Sequence, residues 1–239
     1  MKHDDLGVAT CRYGASRLLF RGPARALDGR HVAFVGGSAT HGAGVGRPLP
    51  ALVEEALGEV CVNLGQANAS VDAFLHEPEV GAACRAARMT VVEVMGAQNL
   101  SNRLYRVHPR RNDRFTGASE LFEALFPGVD LAEVCFTRHL VAKVREEAPE
   151  RFGLLVEELQ AAWVARMRSF LQMVGPRVVL LWLGPEPPPD APWGAEEGDP
   201  LFVTRGMVEG LRPLVREVVA AAAPEGAAAA VAGAVRACP

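Results

Sequence analysis

Aromatic side chains are sparse in this 239-residue chain, at 6%, and neither sign of charge is in large excess, leaving a formal net charge of -3. Such a chain has neither the basic footprint nor the stacking platforms of a nucleic-acid binder, and no overall attraction to an anionic membrane surface. No apolar run approaches the length that crosses a bilayer, and the opening Met1-Lys-His-Asp-Asp-Leu6 lacks the apolar stretch of a signal peptide, so a cytoplasmic location and no membrane partner are expected. The five cysteines (Cys11, Cys61, Cys84, Cys135 and Cys238) include no Cys-x-x-Cys pair, which suits reduced structural thiols. No His-Glu-x-x-His motif and no clustered Cys and His ligands occur, so no metal is implied. Gly36 to Gly46 is rich in glycine but has neither the Gly-x-Gly-x-x-Gly order of a dinucleotide site nor the Gly-Lys-Ser/Thr of a phosphate loop, so no cofactor is expected. No histidine follows His139.

What the chain does contain is three apolar runs that stop abruptly in small polar residues. They are His31-Val-Ala-Phe-Val-Gly-Gly-Ser-Ala-Thr40, Cys61-Val-Asn-Leu-Gly-Gln-Ala-Asn-Ala-Ser70 and Val91-Val-Glu-Val-Met-Gly-Ala-Gln-Asn-Leu100. Each reads as a buried parallel strand whose C-terminal end opens into a loop. In an open α/β sheet such ends lie side by side around one crevice, so Ser38, Gly65 and Asn99 are expected to converge. Leu49, Leu52, Val53, Ala56 and Leu57 recur at helical spacing behind Pro48 and Pro50, with Gly58 placed to close the helix. Pro78 to Arg88 reads as a second crossover helix. Phe152, Leu155, Val156, Leu159, Trp163, Met167, Phe170, Leu171 and Val174 trace one stripe that ends at Gly175-Pro176, and packing alone explains it. Arg177 to Leu183 reads as a fourth strand, Asp199 to Val203 as a short strand or turn, and Arg205 to Ala223 as a last amphipathic helix. The alanine-rich tail from Ala227 to Ala237 fits helix or strand.

The expected fold is therefore α/β: a flavodoxin-like three-layer sandwich around a mostly parallel sheet of about five strands. A single domain spans 1-239, long enough for one sizeable core. Residues 1-30 form a lead-in. Residues 101-149 form a basic helical insertion after the third strand, with helices near 117-126 and 130-147, the second opened by Asp130 and Glu133 at capping-box spacing.

Gly37-Ser38-Ala39-Thr40, Asn63-Leu64-Gly65 and Gly96-Ala97-Gln98-Asn99 together resemble the first three blocks of the SGNH, or GDSL-type, hydrolases. Gly37 stands where that family usually has Asp, and one extra residue separates Gly96 from Asn99. The resemblance implies a serine esterase or O-acyltransferase acting on a small anionic or carbohydrate ester. Ser38 would attack, while the Gly65 N–H and the Asn99 amide would hold the charge developing on the carbonyl oxygen. In the last block, Asp199-Pro-Leu-Phe202, a phenylalanine stands in place of the family's histidine. The base must then be another histidine or be missing. His108 and His139, both in the insertion, stand ahead of His41, because residues so close in sequence seldom reach triad geometry. His139 on a helix also reads as a structural residue, and His3, His31 and His76 as surface or packing residues. Ser38 itself has a second reading as the cap of a tight strand-to-helix turn, and Thr40 can fill that role too.

Five arginines (Arg103, Arg106, Arg110, Arg111 and Arg114) follow Asn99 within Ser101 to Phe115, against a lone Asp113, and Phe136-Thr-Arg-His139 adds Arg138. Guanidinium forks bind carboxylate, phosphate or sulfate through paired hydrogen bonds, so Arg106, Arg110, Arg111 and Arg138 are candidates to hold an anionic ligand. The competing reading is a solvated loop, self-neutralised by Asp113, Glu120, Glu123 and Asp130. Arg106-Val-His-Pro-Arg-Arg-Asn-Asp-Arg-Phe115 with Phe136-Thr-Arg-His139 also resembles an uncharacterised bacterial family without an assigned activity. The alternative to an enzyme is accordingly a catalytically inactive relative that captures an anion through these arginines.

Overall fold

Apolar runs too short for helices, separated by segments of helical period, can bury both faces only as a parallel sheet with helices packed on each side. The computed structural model, which describes residues 9–191 and 200–237, has this arrangement. Two short antiparallel strands, β1 (Thr10–Cys11) and β2 (Phe20–Arg21), precede β3 (Val32–Val35), α1 (Ser38–His41), α2 (Leu49–Leu57) and β4 (Cys61–Asn63). Next come α3 (Asp72–Leu75), α4 (Pro78–Ala86), β5 (Met89–Glu93), the hairpin strands β6 (Tyr105–His108) and β7 (Arg111–Ala118), α5 (Glu120–Leu125) and α6 (Thr137–Glu147). The chain closes with α7 (Phe152–Val174), β8 (Val178–Leu183), α8 (Arg205–Glu209), β9 (Glu217–Ala221) and α9 (Pro224–Ala237).

The main sheet has five strands in the order β4-β3-β5-β8-β9, and every neighbouring pair is parallel. Renumbered within the sheet this is 2-1-3-4-5, a doubly wound order whose direction of winding reverses between β3 and β5. Alternate residues feed two cores. Ala33, Val35, Val92, Leu180 and Trp182 pack with the apolar stripe of α7 on one face, while Val32, Phe34, Val91, Val179 and Leu181 pack with α2 and α9 on the other. All nine residues of the α7 stripe are buried. Among the described residues, no helix is long and apolar enough to cross a membrane.

Three sequence expectations change. The span Arg205 to Ala223 is not one helix. It breaks after α8, passes through a 3-10 turn at Arg212–Leu214, and pairs β9 with β8. Pro213 cannot continue a helix, and Val215, Val218 and Val219 suit a strand that completes the open edge of β8. The insertion is only partly helical, because residues 105–118 form the β6–β7 hairpin, in which Tyr105 and Val107 point inward and Arg106 outward. The capping box at Asp130 and Glu133 does not open a helix. Asp130 instead accepts a hydrogen bond from the Ala132 N–H at 2.9 Å, and α6 begins at Thr137. The tail resolves as α9, and Asp199, like the extreme N-terminus and Cys238, lies outside the described residues.

The lead-in is a strap rather than a tail. Tyr13, Leu18 and Phe20 enter the larger core. Arg21 spans the α1–α2 loop, donating to the Val45 and Gly46 carbonyls at 2.8 and 3.2 Å. The strap is fixed to the start of α4 by Glu77, 3% exposed, which accepts from the Ser16 hydroxyl at 2.8 Å, the Arg17 N–H at 3.1 Å and the Arg17 guanidinium at 3.1 Å. Burial raises the Glu77 pKa, but these donors together outweigh it and hold the group below the ordinary carboxylate value. A depressed folded pKa contributes stability that is present above the unfolded value and lost as pH falls through the folded one. Wild-type stability should therefore decline as pH drops below about 4.3, the ordinary Glu value. Denaturant titrations across that range should show a shallower decline for Glu77→Gln, and identical slopes would remove this account of the strap.

Candidate functional site

The reversal of winding between β3 and β5 leaves a crevice at their C-terminal ends. The chain leaving β3 turns at once into α1, and the turn is set by a carboxyl group in an otherwise apolar strand. Glu93, the last residue of β5 and 8% exposed, uses Oε2 to accept from the Gly37 N–H at 3.1 Å, the Thr40 N–H at 2.9 Å and the Thr40 hydroxyl at 2.5 Å. Position 36 must be glycine, because a Cβ there would run into Thr40 Oγ1 and the Glu93 side chain. Ser38 is thereby presented at the mouth of a cavity of about 510 Å³.

The Ser38 hydroxyl faces Asn68. It accepts from the Asn68 N–H at 2.9 Å and donates to Asn68 Oδ1 at 3.2 Å. Asn68 reaches this position with φ of 56°, a left-handed conformation that asparagine tolerates better than most side chains. Its carbonyl accepts from Asn99 Nδ2 at 3.1 Å, and its Nδ2 points to Asp113 Oδ2 at 3.5 Å, the outer limit of a hydrogen bond. Asn99 Oδ1 in turn accepts from the Thr137 hydroxyl at 2.5 Å, tying the loop after β5 to the start of α6.

Of the residues singled out from sequence, Ser38, Asn99 and Arg138 line the cavity. Gly65 does not. Its N–H is spent on Asn63 Oδ1 at 2.9 Å, and the glycine is required because a Cβ would lie 2.5 Å from the His41 nitrogen. The backbone donor beside the serine is thus Asn68, three residues further on. No histidine among the described residues lines the cavity. His108 sits at the hairpin turn, where Nδ1 accepts from the Arg110 and Arg111 N–H groups, each at 3.2 Å. His139 is exposed on α6, and His41 is buried at the end of α1. The block expected to carry a base delivers Phe202 into the core, its ring centroid 6.0 Å from that of Phe152. Arg106, Arg110 and Arg111 project from the hairpin and line no part of the cavity, while Arg103 pairs with the buried Glu158.

Sequence reasoning missed Glu93, Asn68, Asp113, Phe136 and Gln98. Glu93 had a signal: a carboxyl in the middle of a buried apolar run needs hydrogen-bond donors. Asn68 had a weaker one, as a residue able to replace glycine at positive φ. Phe136, 42% exposed, carries the Arg114 guanidinium 4.6 Å above its ring at the cavity mouth, a pairing that spacing does not reveal.

A family model described as a domain of unknown function (DUF6473) matches residues 1–237. The chain belongs to the DUF6473 family. No curated protein matches it. In this DUF6473 domain the line from Ser38 through Asn68 to Asp113 has the order of a hydroxyl, a bridging group and a carboxylate, but the bridge is an amide. An amide holds a hydroxyl in place and cannot take its proton as a neutral imidazole does. Gly65, lacking contact with the cavity, serves packing. Gly65→Ala is expected to cost about 1–3 kcal/mol by overpacking against backbone that cannot swing aside. Urea denaturation measures this, and an unchanged midpoint would show that α1 can retreat.

Proposed function

We propose that the cavity binds a small polyhydroxylated ligand of carbohydrate type, with Ser38 serving as a hydrogen-bonding hydroxyl. The observation that carries this reading is the chemistry of the lining. Ser38, Asn68, Gln98, Asn99 and Thr137 offer neutral donors and acceptors, while the charged lining is two carboxyl groups, Asp113 and the hydrogen-bonded Glu93, and Arg138, the single cation among the described lining residues. Neutral amides and hydroxyls fixed by their own neighbours suit a ligand rich in hydroxyls, and the Phe136 ring, with Arg114 over one face, adds a partly exposed apolar surface at the mouth. Capture of an anion by an arginine cluster is less well supported, since Arg106, Arg110 and Arg111 stand apart from the cavity.

A second reading, a serine esterase or O-acyltransferase of SGNH type, is favoured by one observation. The Ser38 hydroxyl lies 2.9 Å from a backbone N–H, with the Asn99 amide hydrogen-bonded to the same residue's carbonyl. An attacked carbonyl oxygen requires two such donors, and here each would have to turn from the acceptor it now holds. The sheet order, the serine after the first strand of the sheet and the asparagine after the third support kinship with that fold. Turnover would still need a proton acceptor at Ser38 in place of the Asn68 amide.

Titration with neutral monosaccharides, followed by the shift in Tm, should stabilise the protein, whereas inorganic phosphate should not. Ser38→Ala should weaken sugar binding about 2- to 12-fold, the loss of one neutral hydrogen bond of roughly 0.5–1.5 kcal/mol. A fluorophosphonate should leave Ser38 unlabelled. Labelling at Ser38 together with ester hydrolysis lost in Ser38→Ala would replace the binding reading with the enzymatic one.

A further inference from the structure

Asp113 is the lone acid of the stretch Ser101 to Phe115, and a self-neutralised loop would pair it with Arg110, Arg111 or Arg114 beside it. It pairs with none of them. Asp113 makes no ion pair among the described residues, and its carboxylate has one hydrogen-bonding contact, the Asn68 amide nitrogen 3.5 Å from Oδ2. The cation next to it in the chain is engaged elsewhere, since the Arg114 guanidinium lies 4.6 Å above the Phe136 ring. Arg110 and Arg111 are exposed at the hairpin turn. Asp113 itself is half-buried and lines the cavity.

The backbone on both sides of Asp113 is fixed. Asn112, 1% exposed, accepts from the Ser70 N–H and the Ser70 hydroxyl, each at 3.0 Å, and its Nδ2 donates to the His108 carbonyl at 3.1 Å. On the other side, Arg114 pairs with Phe136 across an antiparallel bridge, and the Phe115 N–H donates to the Cys135 carbonyl at 3.0 Å. The carboxylate is thus held at the cavity wall by residues that do not themselves bond it.

An ionised carboxylate only accepts hydrogen bonds, and its two oxygens have room for several donors. Elsewhere in the cavity the bonds are already made: Ser38, Asn68 and Asn99 hold one another, and Glu93 gathers three donors on Oε2. At Asp113 a ligand donor displaces only the long Asn68 contact. An ammonium group could donate there, but Arg138 in the same lining and the arginines flanking Asp113 in the chain oppose a second cation. Neutral hydroxyls meet no such repulsion, and a hydrogen bond to a charged acceptor is stronger than one to a neutral acceptor.

We infer that Asp113 is the specificity-determining residue of the cavity, its two oxygens accepting from two adjacent hydroxyls of the ligand. The inference rests on reading the cavity as a site for a polyhydroxylated ligand, and it narrows that class to neutral sugars with a free vicinal diol.

The test is Asp113→Asn in the full chain, which keeps the shape of the side chain and leaves one acceptor oxygen where a diol needs two. D-Glucose, D-galactose, D-mannose and D-xylose are titrated against both proteins, and the tightest binder is compared with its monodeoxy derivatives and with D-glucosamine. In the variant, the Kd for that sugar is expected to rise about 10- to 150-fold, the range for a hydrogen bond to a charged group. Tm should stay within about 2 °C of the wild type, because no protein partner is lost. The wild type should bind the two derivatives that lack one or other of the adjacent hydroxyls about tenfold more weakly than the parent sugar, and the variant should lose that discrimination. D-Glucosamine should bind the wild type no more tightly than D-glucose. Equal affinity of both proteins for the sugar would overturn the inference and leave the sugar reading standing. A preference of the wild type alone for D-glucosamine would make Asp113 a partner for cations and overturn it too, and a larger fall in Tm would show a structural role with the same result. If none of the four sugars binds the wild type, the sugar reading falls and takes the inference with it.

Discussion

A single carboxyl group at the end of the central strand holds the arrangement together. The short helix after β3 could leave the sheet at many angles, since its first turn carries no side-chain cap of its own. Glu93 supplies the missing acceptor from across the strand pair, gathering Gly37 N–H, Thr40 N–H and the Thr40 hydroxyl on one oxygen. Burying such a group is costly unless donors surround it. The donors it requires are the backbone groups that α1 needs satisfied, so two unfavourable burials cancel. Ser38 then points to the crevice because its neighbours on both sides are fixed, and glycine at 36 and 65 permits the close approach of β5 and β4 to this turn.

From that anchor, Asn68 links the three strand exits. It takes its position opposite Ser38, receives Asn99 on its carbonyl and reaches toward Asp113 on the hairpin. The same hub explains why the proposed kinship with serine hydrolases would not by itself bring hydrolysis. In the order hydroxyl, bridge, carboxylate, the middle member must gain and lose a proton, and a side-chain amide does neither near neutral pH. What it does well is keep the hydroxyl and the neighbouring donors from rearranging.

The main sheet was legible because its signals are local. Runs such as Val32–Val35 and Val178–Leu183 can be satisfied only by burial on both faces, and the 23-residue α7 repeats its stripe often enough to outweigh every competing pattern. The edge strand β9 was not legible, since Val215, Val218 and Val219 fit either period and the choice was made by the open edge of β8. The hairpin was masked by its arginines, which draw attention to charge while the Tyr105 and Val107 alternation carries the structure. At the site, Ser38 and Asn99 could be read from strand ends, and Arg138 from its neighbourhood. Asn68 and Asp113 could not, because their roles depend on one backbone conformation and on one missing partner, neither of which a residue type encodes.

Those two features bear on whether the crevice is a working site or an inherited shape. Among the described residues, only Asn68 and Phe202 adopt positive φ without being glycine. Asn68 lines the cavity, and Phe202 lies two residues from Pro200, which also lines it. A phenylalanine in that region is strained, and it is kept there by burial against Phe152. Gln98 adds an unsatisfied acceptor at the same rim, and Asn99 and Thr137 share a short, buried hydrogen bond there. Glycine at 68 or at 202 would relieve the backbone there, and methionine at 98 would remove the orphaned acceptor. Asn68, Gln98, Asn99 and Thr137 stand together at the switch point of one sheet, which is where the proposed binding reading needs them.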